Sequence, residues 1–193
     1  HGFWYKNIQN KSATMEDISL HILDVAENGI RAGAKLLLIT ITEDAQNDSL
    51  TVTIQDNGRG MAPDFLKRVL DPFVTTRTTR KVGLGLSLFQ QSARDAGGDL
   101  VVESELGTGT TVKVFMRHGH IDRKPMGNMP ETMLSLIEGN PDVDFVYTHI
   151  RNGKKYVLDT RDIRKELEEV PINCPEVIDL IKQDLESGLR HID

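Results

Sequence analysis

Polar side chains recur at helical spacing near the beginning of the chain, on a segment that is otherwise apolar. These polar residues follow one another at alternating steps of four and three positions: Asp17, His21, Asp24, Asn28 and Arg31. This spacing places them on one face of a helix. A carboxylate such as Asp24 could act as a general base, and a neutral amide oxygen such as that of Asn28 suits a hard cation. The stripe is therefore either a solvated surface or one half of a site.

Three glycine-containing segments supply further residues that could do chemistry. They are QDNGRGM at 55–61, VGLGLSL at 82–88 and GTGTT at 107–111. In the first, the carboxylate of Asp56 ends a strand-like run, and the glycines let the backbone turn sharply and approach a ligand. The second precedes a helix, whose first N–H groups suit a phosphate. Each segment alone is explained as well by a turn or loop, so their order and spacing together indicate the site.

The intervening sequence predicts the elements that position these segments. In chain order they are a helix from 18 that ends through Gly33, strands at 35–42 and 50–55, a short helix at 63–70, a helix closing at Gly97, and strands at 99–104 and 110–116. The strands alternate apolar residues with polar ones, and turn-forming residues join them in pairs. This order predicts a two-layer α/β sandwich, in which a mixed, mainly antiparallel sheet carries helices on one face.

The composition changes after residue 116. A polar, turn-rich segment comes first, and the predicted elements that follow are a short helix at 131–139, two strands around Asn152 and Gly153, and helices at 161–170 and 175–189. The Asn-Gly pair is a strong hairpin signal, and Pro175 suits the first turn of a helix. We expect residues 15–118 to form the main domain and residues 119–193 a small α+β appendage.

Composition excludes several classes of protein. A net charge of −6 makes nucleic acid an improbable partner, and we expect no association with a membrane, since no apolar run approaches the roughly 20 residues of a membrane-spanning helix. The single cysteine, Cys174, cannot form an internal disulfide, so we expect a cytoplasmic protein. Residues 1–14 lack any periodicity and are interpreted as a disordered leader or a non-native addition.

Taken in order, the motifs closely resemble the N, G1, G2 and G3 boxes of the GHKL superfamily. Its ATPases and kinases are typified by DNA gyrase, the heat-shock-90 chaperones, histidine kinases and the mismatch-repair MutL proteins. Between G1 and G2, the run DPFVTTRTTRKVGLGLSL resembles a histidine-kinase F box that leads into an ATP lid. The resemblance covers about residues 15–117. It implies a Bergerat-type fold, with ATP and Mg²⁺ as ligands.

The resemblance also implies a role for each matching residue. Asp56 would accept a hydrogen bond from the adenine amino group, which guanine could not reproduce, and Asn28 would ligate Mg²⁺. Gly58 and Gly60 would leave space for the base. The other implied nucleotide-binding residues are Phe73 as the F-box aromatic, Arg77, Arg80 and Lys81 as lid cations near the terminal phosphate, Gly83 and Gly85 as phosphate-binding glycines, Leu86, and Thr110 at the adenine end.

Asp24 is the implied catalytic residue, one helical turn before Asn28. In the gyrase, chaperone and MutL branches, and in the anti-sigma-factor kinases, that place holds a glutamate that acts as general base, whereas many histidine kinases have asparagine. Aspartate keeps the carboxylate but reaches one methylene less far. Glu27 points about 100° away around the helix and is a weaker candidate.

Two functions follow from the resemblance, and a third is less favoured. The first is a stand-alone kinase or ATPase that transfers phosphate to a histidine or serine of a protein partner, or to water. The second is a non-catalytic, ATP-dependent switch that contacts its partner through the appendage or the lid. The third, a DNA-linked ATPase of the MutL or gyrase kind, is disfavoured by the net acidity and by the absence of a matching transducer sequence.

Overall fold

The computed structural model describes residues 17–71 and 84–193. Its helices and strands, in chain order, are α1 Ile18–Arg31, β1 Leu36–Asp44, β2 Ser49–Asp56, α2 Pro63–Leu66, α3 Leu84–Asp95, β3 Asp99–Glu105, β4 Gly109–Arg117, α4 Met129–Gly139, β5 Asp144–Arg151, β6 Lys154–Asp159, α5 Thr160–Leu167 and α6 Pro175–Ile192. In the described ranges no helix is both long and apolar enough to cross a membrane. The predicted leader, residues 1–14, lies outside the described residues.

All six strands of the described chain belong to one sheet, in the order β3-β4-β2-β1-β5-β6. Neighbouring strands run antiparallel, except that β5 runs parallel to β1. This is the mixed, mainly antiparallel sheet that the sequence predicts, and the α/β sandwich is confirmed. The predicted short helix at 63–70 is regular only over α2, because its C-terminal half continues as turns with i to i+3 bonds such as Val69 N–H to Leu66 C=O.

Buried and half-buried side chains alternate along the strands, so that one face of the sheet is covered by the helices. In β1, Leu37, Ile39 and Ile41 are fully buried, while the residues between them are half-buried. The helices supply the other half of this core, with α1 contributing Ile22 and α3 contributing Phe89. The predicted arrangement with helices on one face follows from this period-2 burial, because each strand directs only every second side chain toward the helices.

The segment after residue 118 continues the same sheet. Strand β5 pairs with β1 along its length, so that Ile39 lies opposite Tyr147. The hairpin to β6 turns at Asn152 and Gly153, both of which have positive φ, as the sequence predicts. The predicted appendage therefore shares sheet and core with the first part of the chain. That residues 119–193 form a separate unit stays a prediction.

A buried polar cluster fastens β5 to β1. Glu43 at the end of β1 accepts hydrogen bonds from His149 Nε2 at 2.7 Å and from Arg151 Nη2 at 2.9 Å. His149 Nδ1 lies 2.7 Å from the hydroxyl of Tyr147, and His118 Nε2 lies 3.3 Å from the second oxygen of Glu43. Burial alone would raise the pKa of Glu43, but the hydrogen bonds and charges of His149 and Arg151 outweigh it and lower the pKa to about 2. The cluster thus holds a carboxylate that is ionised within the core.

Candidate nucleotide-binding site

The carboxylate of Asp56 marks the end of β2, where the sheet meets α1. In the register of the sheet, Asp56 lies opposite Thr110 on β4. The next residue, Asn57, fixes this strand end, because its Oδ1 accepts hydrogen bonds from the backbone N–H groups of Lys35 and Leu36 at 2.8 and 2.9 Å. The pairing of β2 with β4 therefore holds the side chains of Asp56 and Thr110 next to each other.

Burial governs the electrostatics of Asp56. It raises the pKa of the carboxyl group, and the backbone N–H groups of Gly58 and Thr110 only partly oppose it. The Gly58 N–H donates to Asp56 Oδ1 at 2.8 Å. A desolvated carboxylate with few protein donors retains acceptor capacity for a ligand that brings donors of its own.

Helix α1 approaches Asp56 closely because residue 29 has no side chain. A Cβ placed on Gly29 would lie 2.9 Å from the Cβ of Asp56 and 3.0 Å from its Oδ2. On the preceding residue, Asn28 Nδ2 is buried and finds no hydrogen-bond partner among the described residues. Asn28 Oδ1 accepts a hydrogen bond of 2.5 Å from Arg31, one helical turn later. The end of α1 therefore presents an amide and a guanidinium beside the carboxylate.

The loop after β2 is fixed by close backbone packing. Gly60 has φ of +67°, and a Cβ there would overlap the backbone of Glu105. The N–H of Met61 donates to Ser104 Oγ at 2.9 Å, and that hydroxyl lies 2.8 Å from Thr110 Oγ1. A Cβ on Gly58 would lie within 3.0 Å of Ala32 and Asp56. Both glycines thus allow tight packing of the protein on itself around the base of the site.

One cavity of about 310 Å³ unites these features. Its wall comprises Val25, Asn28, Gly29, Arg31, Ala32, Asp56, Arg59, Gly60, Met61, Ala62, Phe65, Leu86, Leu106, Thr110 and Val112. The volume lies within the roughly 300–1,000 Å³ of small-molecule sites, and a mainly apolar wall with a few polar groups is typical of them. The apolar part can hold a flat ring, and Asp56 and Thr110 can bind its polar edge.

The predicted catalytic residue lies beyond this wall, toward the beginning of α3. A Cβ on Gly85, the second residue of α3, would overlap the carboxylate of Asp24. Gly85 is buried, and the neighbouring Leu86 lines the cavity. Asp24 is therefore placed where α1 meets the first turn of α3, one helical turn from Asn28.

The structure brings part of the predicted site together and leaves part of it undescribed. Asn28, Asp56, Gly60, Leu86 and Thr110 share the cavity wall. Gly58 bonds to Asp56, and Gly85 packs against Asp24. The remaining predicted residues lie outside the described residues: Phe73, Arg77, Arg80, Lys81 and Gly83.

Of the five residues of the stripe on α1, His21 is buried, Asp17, Asp24 and Asn28 are half-buried, and Arg31 is exposed. His21 is 4% exposed, and its ring stacks on that of Phe89 with centroids 4.8 Å apart. Burial lowers the pKa of His21, with Asp17 and Lys124 acting in opposite directions. Glu27 lies off the stripe and forms an exposed ion pair of 3.5 Å with Arg31. The polar side chains of α1 therefore serve several different contacts.

Three residues of the site escaped the sequence prediction. Gly29 falls at the helical spacing of the apolar residues of α1, and spacing cannot show what a helical glycine touches. Arg31 was noted only as part of the stripe, although its position one turn after Asn28 places both side chains on the same face. Ser104 carried no signal, since its contact with Thr110 depends on the pairing of β3 with β4.

The residues present fit a magnesium ion that is held mainly by its nucleotide. In the described part of the chain, no group of three or more histidine, cysteine or acidic side chains is placed to hold a metal. A single amide such as that of Asn28 is compatible with Mg²⁺, which commonly keeps water and phosphate oxygens as its other ligands.

Comparison with known proteins agrees with this geometry. The sequence profile of the family described as "Histidine kinase-, DNA gyrase B-, and HSP90-like ATPase" matches residues 16–120. Histidine protein kinase DivJ of Caulobacter vibrioides is 33% identical over 97 residues, which are 48% of this chain and 16% of DivJ. Sporulation kinase D of Bacillus subtilis is 32% identical over 103 residues, or 53% of this chain and 20% of that kinase. The chain thus spans a fifth or less of these two relatives.

A solved structure shows the same fold at low sequence identity. The crystal structure of the N-terminal domain of a DNA repair protein matches with a TM-score of 0.51 and 19% identity, over 74% of this chain and 52% of that one. At this identity the likeness concerns the fold alone. The family profile, by contrast, covers more than half of the sequence and includes the described wall of the cavity. The chain therefore belongs to the family of histidine kinase-, DNA gyrase B- and HSP90-like ATPases and carries an ATP-binding domain of the histidine kinase type.

Proposed function

We propose that the chain binds Mg²⁺-ATP in the cavity between α1 and the end of β2, and transfers its terminal phosphate to a protein partner. The observation that carries the proposal is the pairing of Asp56 with Thr110 across β2 and β4, opposite Asn28 on α1, within one cavity. The ATP requirement favours a cytoplasmic location.

Adenine is the base that this cavity suits. The carboxylate of Asp56 accepts hydrogen bonds and cannot donate them when ionised, so it matches the exocyclic amino group of adenine. Guanine presents a carbonyl oxygen at that position, which would be repelled by the carboxylate. Thr110 Oγ1, oriented by Ser104, is placed to bond a ring nitrogen or a bridging water. Met61, Phe65 and the other apolar wall residues can cover the faces of the ring.

Asn28 and Arg31 suit the phosphate end. When bound, Mg²⁺ neutralises phosphate charge and orients the phosphate chain. The Arg31 guanidinium donates a hydrogen bond to Asn28 Oδ1, the oxygen that a metal would use. When Mg²⁺-ATP binds, we expect Arg31 to bind a phosphate oxygen instead. Asn28→Ala tests this assignment: ATP affinity should lose its dependence on Mg²⁺, whereas affinity measured with a chelator present should be unchanged. Retained Mg²⁺ dependence would refute the role.

Phosphoryl transfer depends largely on position and charge neutralisation. Asp24 lies one helical turn before Asn28 and against Gly85 at the beginning of α3, where its carboxylate could accept the proton of an attacking hydroxyl, imidazole or water. Because the side chain of aspartate is one methylene shorter than that of glutamate, Asp24 can serve only a phosphate acceptor that comes close to α1. The relatives are named as kinases, which favours a protein acceptor over water.

An assay of products with labelled ATP tests the activity. Incubation with candidate partners should give a labelled protein, and Asp24→Asn should abolish the label while ATP still binds. The exposed Asp122→Asn is the matched control and should retain both. Good binding by the parent chain without any labelled protein or released phosphate would exclude both kinase and ATPase activity.

A second candidate function, an ATP-dependent switch, is favoured by the position of β1. This strand pairs on one side with β2, which ends at Asp56, and on the other with β5. A change in the cavity when ATP binds could thus be transmitted to residues 119–193 through β1 alone. Hydrogen exchange in β5 and β6 should then slow when ATP is added. Exchange that is unchanged by ATP at saturation would argue against the switch.

A further inference from the structure

A second groove lies at the opposite end of the sheet from β3, between the edge strand β6 and helices α5 and α6. Its volume is about 600 Å³. Seven apolar residues line it: Val157, Leu158, Ile163, Leu167, Val177, Leu180 and Ile181. Helix α5 packs on β5, whereas α6 packs on β6, β5 and α4. The two helices share β5 as a support, but only α6 also packs on β6 and α4, and an apolar cleft lies between them.

The sequence of both helices directs apolar side chains into this cleft. Ile163 and Leu167 are four residues apart on α5, and Val177 and Ile181 are four apart on α6, so each pair shares one helix face. Leu180 follows the same face of α6 but is 63% exposed. A leucine exposed to this extent beside a concave apolar surface is typical of a surface that another molecule covers.

The edge of the groove is acidic. Its charged lining residues are Asp159, Asp162, Glu166 and Asp184. Two of these have neighbouring cations: Arg161 lies 2.6 Å from Asp159, and Lys165 lies 2.8 Å from Asp162.

The other two acidic residues line the groove from different helices, Glu166 from α5 and Asp184 from α6. Asp184 accepts a hydrogen bond of 2.6 Å from the neutral hydroxyl of Tyr156. Residues 160–193 contain nine acidic and five basic residues, so the surroundings of the groove are also negative. The groove therefore combines an apolar floor with a negative rim.

We infer that this groove binds a basic amphipathic helix of a protein partner. A helix can place apolar side chains at positions i, i+3 and i+7 into such a cleft, with lysine or arginine residues beside them to meet the rim. A second copy of the chain is a poorer match, because its net charge of −6 would bring like charge to the same rim. The inference does not depend on nucleotide binding.

Two synthetic helical peptides of about 18 residues provide the probes, one of leucine and lysine and the other of leucine and glutamate in the same pattern. Fluorescence anisotropy with the full chain should detect the lysine peptide, with affinity that falls as salt is added, and only weak binding of the glutamate peptide. Equal binding of both peptides, or of neither, would overturn the inference.

Variants locate the binding on the groove. Leu180→Ser should weaken the lysine peptide about 10-fold, whereas Ile121→Ser, at a residue 95% exposed outside the groove, should not. Glu166→Gln should weaken it and reduce its salt dependence, whereas Glu169→Gln should do neither. All four are exposed positions, and thermal unfolding will show that each variant folds. Equal losses in the controls, or self-association of the chain that Leu180→Ser abolishes, would contradict a basic helical partner.

Discussion

Gly29 lies directly against Asp56, so the last turn of α1 and the end of β2 are in contact without an intervening side chain. A Cβ on Gly29 would lie 2.9 Å from that of Asp56, which is closer than carbon atoms approach without strain. Because both atoms belong to short, rigid parts of their residues, the conflict cannot be relieved by a change of rotamer at a flexible side-chain end. The position of the carboxylate in the cavity depends on this glycine.

Gly29→Ala should therefore impair the site more than the fold. Alanine favours a helix by up to about 1 kcal/mol over glycine, which offsets part of the local strain. We expect nucleotide affinity to fall by at least about 10-fold while the melting temperature changes by only a few degrees. Gly139→Ala is the matched control, since a Cβ there meets no atom within 4 Å. Unchanged affinity in Gly29→Ala would show that Asp56 is not the base-binding group.

Arg31→Ala should separate phosphate binding from base binding. A charged hydrogen bond contributes roughly 1.5–3 kcal/mol, so affinity for ATP should fall about 10- to 100-fold, whereas affinity for adenosine should be unchanged. Calorimetric titration with both ligands measures this difference. Arg161→Ala removes a guanidinium of similar exposure far from the cavity and should affect neither ligand. A parallel loss of adenosine affinity would mean that Arg31 supports the fold of the cavity.

The raised pKa of Asp56 predicts how adenosine binding depends on pH. The ionised carboxylate is the stronger acceptor for the adenine amino group, and protonation puts an O–H donor on the carboxyl group, so binding should fall as the pH drops toward this pKa. Since burial raises the pKa, the loss should begin at a higher pH than for an ordinary aspartate near 3.9. Adenosine is the suitable probe because it has no phosphate to titrate. Asp56→Asn should bind weakly and show no such step; a step that persists in this variant would belong to another group.

Glu43 should give the fold a separate dependence on pH. Its pKa is lowered from 4.5 to about 2, so its contribution is present above 4.5 and is lost as the pH falls toward 2. The difference corresponds to roughly 3 kcal/mol of unfolding free energy. Glu43→Gln should remove most of this at neutral pH and flatten the acid dependence in denaturant titrations.

Glu103→Gln is the control for that change, because Glu103 forms an exposed ion pair of 2.9 Å with Lys113. Such pairs contribute about 1 kcal/mol or less. A stability loss in Glu43→Gln no larger than in this control would show that the buried cluster does not fasten β5 to β1.

Local patterns predicted the elements, and long-range pairing decided how they meet. The helix that begins at Ile18, the strand that ends at Asp56 and the hairpin at Asn152 all depend on signals within a few residues. The parallel pairing of β5 with β1 joins residues such as Ile39 and Tyr147, which are far apart in sequence, and no local pattern specifies that partner. For the same reason the contact of Gly29 with Asp56 was not predictable.

The polar residues of the cavity wall were easier to predict than the residues that support them. Asn28, Asp56 and Thr110 lie in motifs whose order is itself a signal, and they share one cavity. Ser104, which orients Thr110, and Glu43, which is buried at the end of an alternating strand, look like ordinary surface residues in the sequence. Their contacts exist only once the sheet is assembled.

Calorimetric titration of the full chain with ATP and GTP, in the presence of Mg²⁺, tests the central claim that this cavity binds adenine through Asp56. ATP should bind one per chain and GTP roughly 100-fold more weakly, and Asp56→Asn should lose most of the ATP affinity while remaining folded. Asp122→Asn should behave as the parent chain does. Equal affinity for ATP and GTP, or undiminished ATP binding by Asp56→Asn, would contradict the assignment.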